Sequence, residues 1–256
     1  MELFDSHAHY NDEQYDLDRD EVIKKVLEAG VTKVINAGCN VETSKTGIKL
    51  AEQYDFVYAT VGAHPQDIKN INADILEIEK LSNHPKVVAI GEIGLDYHWN
   101  KENKKEQIEA FAMQIELANK LDLPIVIHSR DAYVDTINVL KNIVNANKRG
   151  VFHCCPLDAE LVKAALELGY NISFAGAITF KNAKNAEEII KMVPMDRIQI
   201  ETDAPYLSPE PFRGKRNDST RIKDIAQKIA SAKGISVEEV AKMTYENTLR
   251  MFNKIS

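Results

Sequence analysis

The stretch "FDSHAHY", Phe4 to Tyr10, decides the fold. It opens like a buried strand and ends in an aspartate and two histidines one residue apart. In an open doubly wound sheet, the turn after the first strand normally carries glycines that cradle a phosphate. Here the strand runs into "HAHYND" instead. Side chains along a strand alternate faces with period two, so His7 and His9 point the same way and can reach one cation. Asp5 has the same parity and lies deeper. It is expected to face inward and to help position the histidines.

Outward from this stretch, apolar runs of strand length alternate with longer amphipathic stretches. The runs are Glu2–His7, Val31–Gly38, Phe56–His64, Val87–Gly94, Pro124–Ser129, Gly150–Cys155, Asn171–Gly176 and Arg197–Thr202. Helical spacing is plain in Lys104–Leu121, where Ile108, Phe111, Ile115 and Ala118 fall three or four apart, and in Asp158–Leu168. A helix pair, Arg221–Lys233 and Val237–Phe252, closes the chain. Eight strands, each followed by a helix, imply an α/β protein of the (β/α)8 TIM-barrel type. One hydrolase domain is expected over residues 1–256, with an extra C-terminal helix. The longest loop expected is Asp203–Asp218, and long loops in compact domains are usually functional.

Composition narrows the function. The chain has 256 residues, a hydrophobic fraction of 44% and a formal net charge of −7. That charge argues against binding nucleic acid through the whole surface, so phosphate recognition would need local cations. Three cysteines, Cys39, Cys154 and Cys155, do not make a disulfide framework and fit a reducing compartment. No leader pattern and no apolar run of about 18 residues is apparent. A soluble, cytoplasmic protein without membrane association is expected.

In barrel enzymes the chemistry sits at the C-terminal ends of the strands. His7 and His9 close the first run, His64 the third, His128 the fifth and His153 the sixth; five of the seven histidines are so placed. Glu92 lies near the end of the fourth, with Asp96 just beyond, and Asp203 follows the eighth. Glu201 and Asp203 share a face by the same period. A lone histidine at a strand end is more often a hydrogen-bonded rim residue than a ligand, but converging histidines and carboxylates make a metal centre. His7, His9, His128, His153, Glu92 and Asp203 are too many for one tetrahedral ion and suit two. Glu92 falls between the two histidine groups in chain order and is the natural bridge. Imidazole-rich ligation favours zinc, manganese or nickel over magnesium. His84 precedes a strand and is read as structural, and His98 as a rim residue. Cys155 shares a face with His153 but is read as a small buried or rim side chain.

These residues also carry a resemblance. "FDSHAH", "GAHP", "GEIGLDYHW", "IHSRDA", "ETDAPYL" and "RGKRN", between Phe4 and Asn217, resemble the TatD family of metal-dependent deoxyribonucleases. The resemblance implies a TIM barrel and a phosphodiesterase that uses two divalent metal ions (zinc, manganese, nickel or magnesium) on DNA or oligonucleotides. It implies that His7 and His9 hold the first metal, that Glu92 bridges, and that His128 and His153 hold the second. Asp203 then binds the first metal and handles the proton of the attacking water. His64 is assigned to substrate phosphate. Two departures occur: the family's H-x-F-S-G is "HCCPLD" here, and "DS", Asp218 and Ser219, replaces E-P after "RGKRN". Both bear on substrate preference rather than on ligands.

The mechanism expected is in-line attack on phosphorus by a metal-activated water, with Glu92 and Asp203 as the catalytic carboxylates. The substrate is expected to be the 3′ end of single-stranded or frayed DNA. Arg213, Lys215 and Arg216 are candidates for holding phosphate, against the plainer reading of a solvated turn. Tyr97, Trp99 and Phe212 are candidates for stacking on bases. No obligate protein partner is implied, and a monomer is expected. One rival is a barrel hydrolase of a small amide, lactone or phosphoester, though such sites often bridge with a carboxylated lysine and no strand end offers one. The other rival, a non-catalytic barrel, would have lost ligands, and none is missing.

Overall fold

The computed structural model describes residues 1–143 and 150–255. The strands are β1 (Leu3–Ala8), β2 (Val31–Asn36), β3 (Val57–Val61), β4 (Val87–Asp96), β5 (Ile125–Arg130), β6 (Gly150–Phe152), β7 (Asn171–Phe174) and β8 (Ile198–Ile200). Between them run α1 (Arg19–Glu28), α2 (Val41–Gln53), α3 (Ile71–Leu81), α4 (Lys104–Leu121), α5 (Tyr133–Ile143), α6 (Ala159–Glu167) and α7 (Ala186–Met192). After β8 come α8 (Ile222–Lys233) and the extra helix α9 (Val237–Met251). Among the described residues the eight strands form one parallel sheet in chain order, β1 to β8. With the helices outside, this is the (β/α)8 barrel expected from the alternation.

The barrel closes just past β8. The Asp203 N–H donates to His7 O at 3.0 Å, and the His9 N–H donates to Ala204 O at 2.6 Å. Asp5 reinforces the seam from the side: it accepts the Thr202 N–H (2.9 Å), the Thr202 hydroxyl (2.5 Å) and the Ser219 hydroxyl (2.5 Å). Asp5 therefore does not share the inward face with His7. The register of β1 against β2 shifts between Asp5 and Ala8, and it is Ser6 that reaches across the barrel, to Ser173 Oγ (3.3 Å) and Ile200 O (2.9 Å). The irregularity breaks the strict alternation on which the inward placement of Asp5 rested.

Two layers of apolar packing fix the frame. Outside, strand residues such as Val34, Ile90, Ile127 and Phe174 meet the helices. Inside, Phe4, Ile35, Tyr58, Val88, Val126 and Val151 form a floor, joined by Phe252 and Ile255 from the end of the chain. The extra helix thus carries a plug to the barrel, and Asn247 on α9 ties it to β8 by donating to Met195 O (2.7 Å) and Ile198 O (2.8 Å).

Expected and observed elements agree except at their ends. α4 spans the expected residues; α6 begins one residue later because Asp158 is its N-cap, accepting the N–H groups of Glu160 and Leu161. β6 stops at Phe152 rather than Cys155, since Cys154 takes a left-handed φ of 39°. The turn sends the Cys155 side chain into the outer core rather than beside His153, the small buried side chain it was read to be. No helix among the described residues is long and apolar enough to cross a membrane.

Candidate metal centre

Glu92, near the end of β4, stands at the middle of the site. Its Oε2 lies 3.3 Å from His7 Nε2 and 3.7 Å from His9 Nε2. Its Oε1 lies 2.9 Å from His128 Nδ1 and 2.8 Å from His153 Nε2. One carboxylate thus faces a different histidine pair with each oxygen. Asp203 Oδ1 joins the first group, 3.3 Å from His9 Nε2 and 3.7 Å from His7 Nε2. All six side chains expected as ligands converge.

The spacing and the tautomers fit cations. Four ligands about 2.1 Å from an ion stand about 3.4 Å apart in a tetrahedron. In the first group the His7–His9 nitrogens are 3.1 Å apart, and the distances to Glu92 and Asp203 run from 3.3 to 3.7 Å. In the second, His128 Nδ1 and His153 Nε2 are 3.3 Å apart. A backbone carbonyl only accepts, so His9 Nδ1, 3.3 Å from Ala37 O, carries the proton and Nε2 turns its lone pair to the centre. His128 Nε2 donates to Asp96 Oδ2 at 3.0 Å, which leaves Nδ1 free in the same sense. His153 Nδ1 faces Glu201 Oε1 at 3.3 Å. Ala37 O and Asp96 give the rings of His9 and His128 the orientation a metal ligand needs.

His64 has the opposite tautomer. Its Nδ1 accepts the Gln66 N–H at 3.2 Å, so Nε2 presents a proton toward Glu92 Oε1, 3.6 Å away. Burial, and then the charge of His128, pushes its pKa down to about 3, and the ring stays neutral. It lies at the edge of the centre, where His64, Asp96 and His128 also come close enough together to hold an ion.

Charge in the cluster is balanced between few groups. Burial opposes ionisation of Glu92, but His153, His128 and His7 hold its carboxyl well below the usual range. Asp203 is likewise held low against burial, by His9 and His7. Burial lowers His9, yet Cys39 and Asp203 lift it well above the ordinary value; His153 is lifted against burial by Glu92 and Glu201. His7 is lowered, by burial and by the charge of His153.

Several supports were not assigned from sequence. Asp96 and Glu201 were visible only as carboxylates near strand ends. Gln114 on α4 accepts the Ala63 N–H (2.7 Å) and donates to Ala63 O (3.0 Å), fixing the residue before His64. Gln107, two turns earlier, does the same for Asp96, with its N–H (2.8 Å) and its O (3.0 Å). Cys39 Sγ sits 3.8 Å from both His9 Nδ1 and Glu92 Oε2. The Tyr206 ring lies 6.0 Å from that of His9. Only the two-residue spacing of Glu201 and Asp203 was a usable signal.

The expected substrate residues are placed less uniformly. Arg216 is a bidentate partner of Asp18 (2.9 and 2.6 Å) and donates to Gln14 O, so its fork is taken within the molecule. The Arg213 guanidinium lies over Phe180, 4.2 Å from the ring centroid, and the Lys215 side chain is exposed. Tyr97 is buried with its hydroxyl on Asp135 (2.8 Å), whereas Trp99 is 67% exposed. Phe212 is half-buried under Arg221. His84 pairs with Glu52 (3.2 Å) and His98 with Asp131 (3.2 Å), both apart from the cluster.

A barrel with histidines and carboxylates converging at the C-terminal ends of its strands is the frame of a metal-dependent hydrolase. The sequence model of the family described as TatD related DNase matches residues 4–253. The uncharacterized metal-dependent hydrolase YabD of Bacillus subtilis is 45% identical, over 98% of each chain. The 3′-5′ ssDNA/RNA exonuclease TatD of Erwinia amylovora is 32% identical, over 98% of this chain and 99% of that one. The crystal structure of YJJV, a TatD homolog from Escherichia coli, superposes with a TM-score of 0.93 at 27% identity and 98% coverage of both chains. The chain belongs to the TatD family and is a metal-dependent hydrolase.

Proposed function

We propose that the protein is a two-metal phosphodiesterase that removes nucleotides from the 3′ end of single-stranded or frayed DNA. The observation that carries the reading is the division of Glu92 between two ligand groups, with Oε2 facing His7 and Oε1 facing His128 and His153. His7, His9, Glu92 and Asp203 would hold one ion; Glu92, His128 and His153 would hold the other. Two such ions supply an activated water at neutral pH and offset charge on a phosphoryl group. A relative 32% identical over 98% of this chain is named a 3′-5′ ssDNA/RNA exonuclease, which supports a nucleic-acid substrate.

The chain's own residues then divide the work. Asp203 is ionised and sits against His9, where it can take the proton of the attacking water. His64 turns its Nε2–H toward the same space and donates to a phosphoryl oxygen. Asp96 holds the ring of His128 in place, and Glu201 faces that of His153. Arg213 and Lys215 are the cations of the loop after β8 left to meet the substrate backbone, since Arg216 is engaged by Asp18. A locally positive site on a chain of net charge −7 favours strand ends over wrapped duplex.

The test is hydrolysis of single-stranded DNA labelled at either end, with zinc, manganese, nickel or magnesium added. Loss from the 3′ end is expected, and Glu92→Ala should abolish it, by at least about a thousandfold, with the circular dichroism unchanged. An undiminished rate in that variant refutes the bridging role. Turnover of small esters or amides with intact oligonucleotides would replace the substrate assignment.

A further inference from the structure

β5 ends in a charge that the proposed chemistry leaves unused. Ser129 Oγ lies 3.0 Å from Thr136 Oγ1 on α5, so its side chain faces the outer helices. Its neighbours on either side, His128 and Arg130, take the opposite face by the period of two. Arg130 is the last residue of the strand and is exposed. It stands about 6.6 Å further along the strand than His128, toward the open end of the barrel. Its backbone is pinned, since the Tyr97 N–H donates to Arg130 O at 2.9 Å.

Among the described residues the Arg130 guanidinium has no hydrogen-bond or ion-pair partner. Most described arginines spend theirs inside the molecule, as Arg216 does on Asp18 and Arg197 on Gly169 O. The carboxylates beside Arg130 are already taken. Asp96 is its register partner across β4 and β5. Asp96 Oδ2 accepts from His128 Nε2 (3.0 Å), and Oδ1 accepts the N–H groups of His98 (2.9 Å) and Trp99 (3.2 Å). Asp131, next in the chain, faces His98 Nδ1 at 3.2 Å. The guanidinium lies instead over the Trp99 ring, 5.6 Å from its centroid, and that indole is 67% exposed. One carboxyl group, that of Asp96, thus fixes both a ring of the metal centre and the loop that carries Trp99.

An arginine lying on an aromatic ring keeps its N–H fork free for a phosphate. An exposed indole beside it offers a stacking surface to any base. We infer that Arg130 and Trp99 hold the nucleotide next to the one removed, Arg130 by its 5′ phosphate and Trp99 by its base. The inference rests on the nuclease reading above. A 3′-terminal nucleotide carries no phosphate beyond the scissile one, so the next phosphate lies on the 5′ side. The retained strand therefore leaves the centre over the rim of β4 and β5. The cations named earlier, Arg213 and Lys215, belong to the loop after β8 and do not serve this rim.

The test varies the phosphate and the residue together. The dinucleotide dApdA has only the scissile phosphate, and pdApdA adds the 5′ phosphate that Arg130 would hold. With the native, metal-loaded protein that addition should raise kcat/KM on the order of tenfold, chiefly through KM. Arg130→Gln should lose most of the gain. Arg130→Lys should keep part of it, since an ammonium retains the charge without the fork. Trp99 is the only tryptophan, so its fluorescence reports the base. A phosphorothioate oligo(dA) that resists cleavage should quench it. The slope of log affinity against log salt should flatten by about 0.7 in Arg130→Gln, the share of one phosphate on a single strand. Equal weakening of both dinucleotides with the slope unchanged marks a structural role and overturns the assignment. So does a phosphate gain that survives in Arg130→Gln, or a bound oligonucleotide that leaves the fluorescence unaltered, while DNA is still cut. If no DNA is cut but oligo(dA) still quenches Trp99 with a slope that depends on Arg130, the nuclease reading fails and the subsite stands.

Discussion

At the scale of the residue, the centre is a competition between protons and cations. His9 and His153 are held well above the ordinary imidazole value of 6.5, and His128 is raised: against burial, Cys39 and Asp203 lift His9, Glu92 and Glu201 lift His153, and Asp96 and Glu92 lift His128. Without a metal these rings are therefore protonated at higher pH than a free histidine. A bound cation needs the neutral ring, so binding must expel protons. Metal affinity should accordingly weaken as pH falls through neutrality, beginning above 6.5 rather than below it. Calorimetric titration of zinc at pH 7, in two buffers of different ionisation enthalpy, should give different apparent enthalpies with proton release. Identical enthalpies would contradict the proton competition. The residues that set it were only partly legible: Glu92 and the histidines stood out at strand ends, but Asp96 and Glu201 became partners only once β4, β5, β6 and β8 were side by side.

At the scale of the element, the motif "GEIGLDY" acquires a steric reason. Gly94 lies on β4 against β5 with φ 145°, and a Cβ there would stand 1.9 Å from His128 O. That close approach holds the backbone of His128 against the strand that carries Glu92. Gly94→Ala should push β5 away at His128 and spare His7 and His9. Elemental analysis of the purified variant should then show metal content falling toward half of the native value, with secondary structure retained. Unchanged metal content in a folded variant would mean that the approach does not govern the proposed second ion. The helices contribute less visibly. α4 was read from its apolar spacing, and that reading holds, but Gln107 and Gln114 act through backbone groups far away in sequence and leave no local pattern.

At the scale of the whole molecule, the barrel is a tube closed at one end and reactive at the other. Phe252, fully buried, and Ile255 come from beyond α9 to complete the floor beneath Phe4 and Tyr58. Truncating Phe252 to alanine removes a core aromatic and leaves a void, a loss of about 3–5 kcal/mol. The expected result is a clearly lower denaturation midpoint with metal content unchanged in the cold. A loss below about 1 kcal/mol would show the floor to be dispensable. The extra helix was legible as a helix. That its end seals the barrel was not, because sequence spacing says nothing about which opening a terminal segment reaches.

By itself the sequence determined the alternation of strand and helix, the barrel class, and the set of side chains that converge at the strand ends. These follow from local periodicity and from the rule that chemistry gathers at one end of a parallel barrel. Only the tertiary structure decided how those side chains are used. It assigned each oxygen of Glu92 to its own histidine pair and fixed the tautomers of His9, His64 and His128. It turned Asp5 into a clasp for the barrel seam and bound Arg216 to Asp18. The physical reason is range. Periodicity states which face a residue occupies, whereas a register shift, a shared proton or an occupied ion pair exists only when distant segments meet.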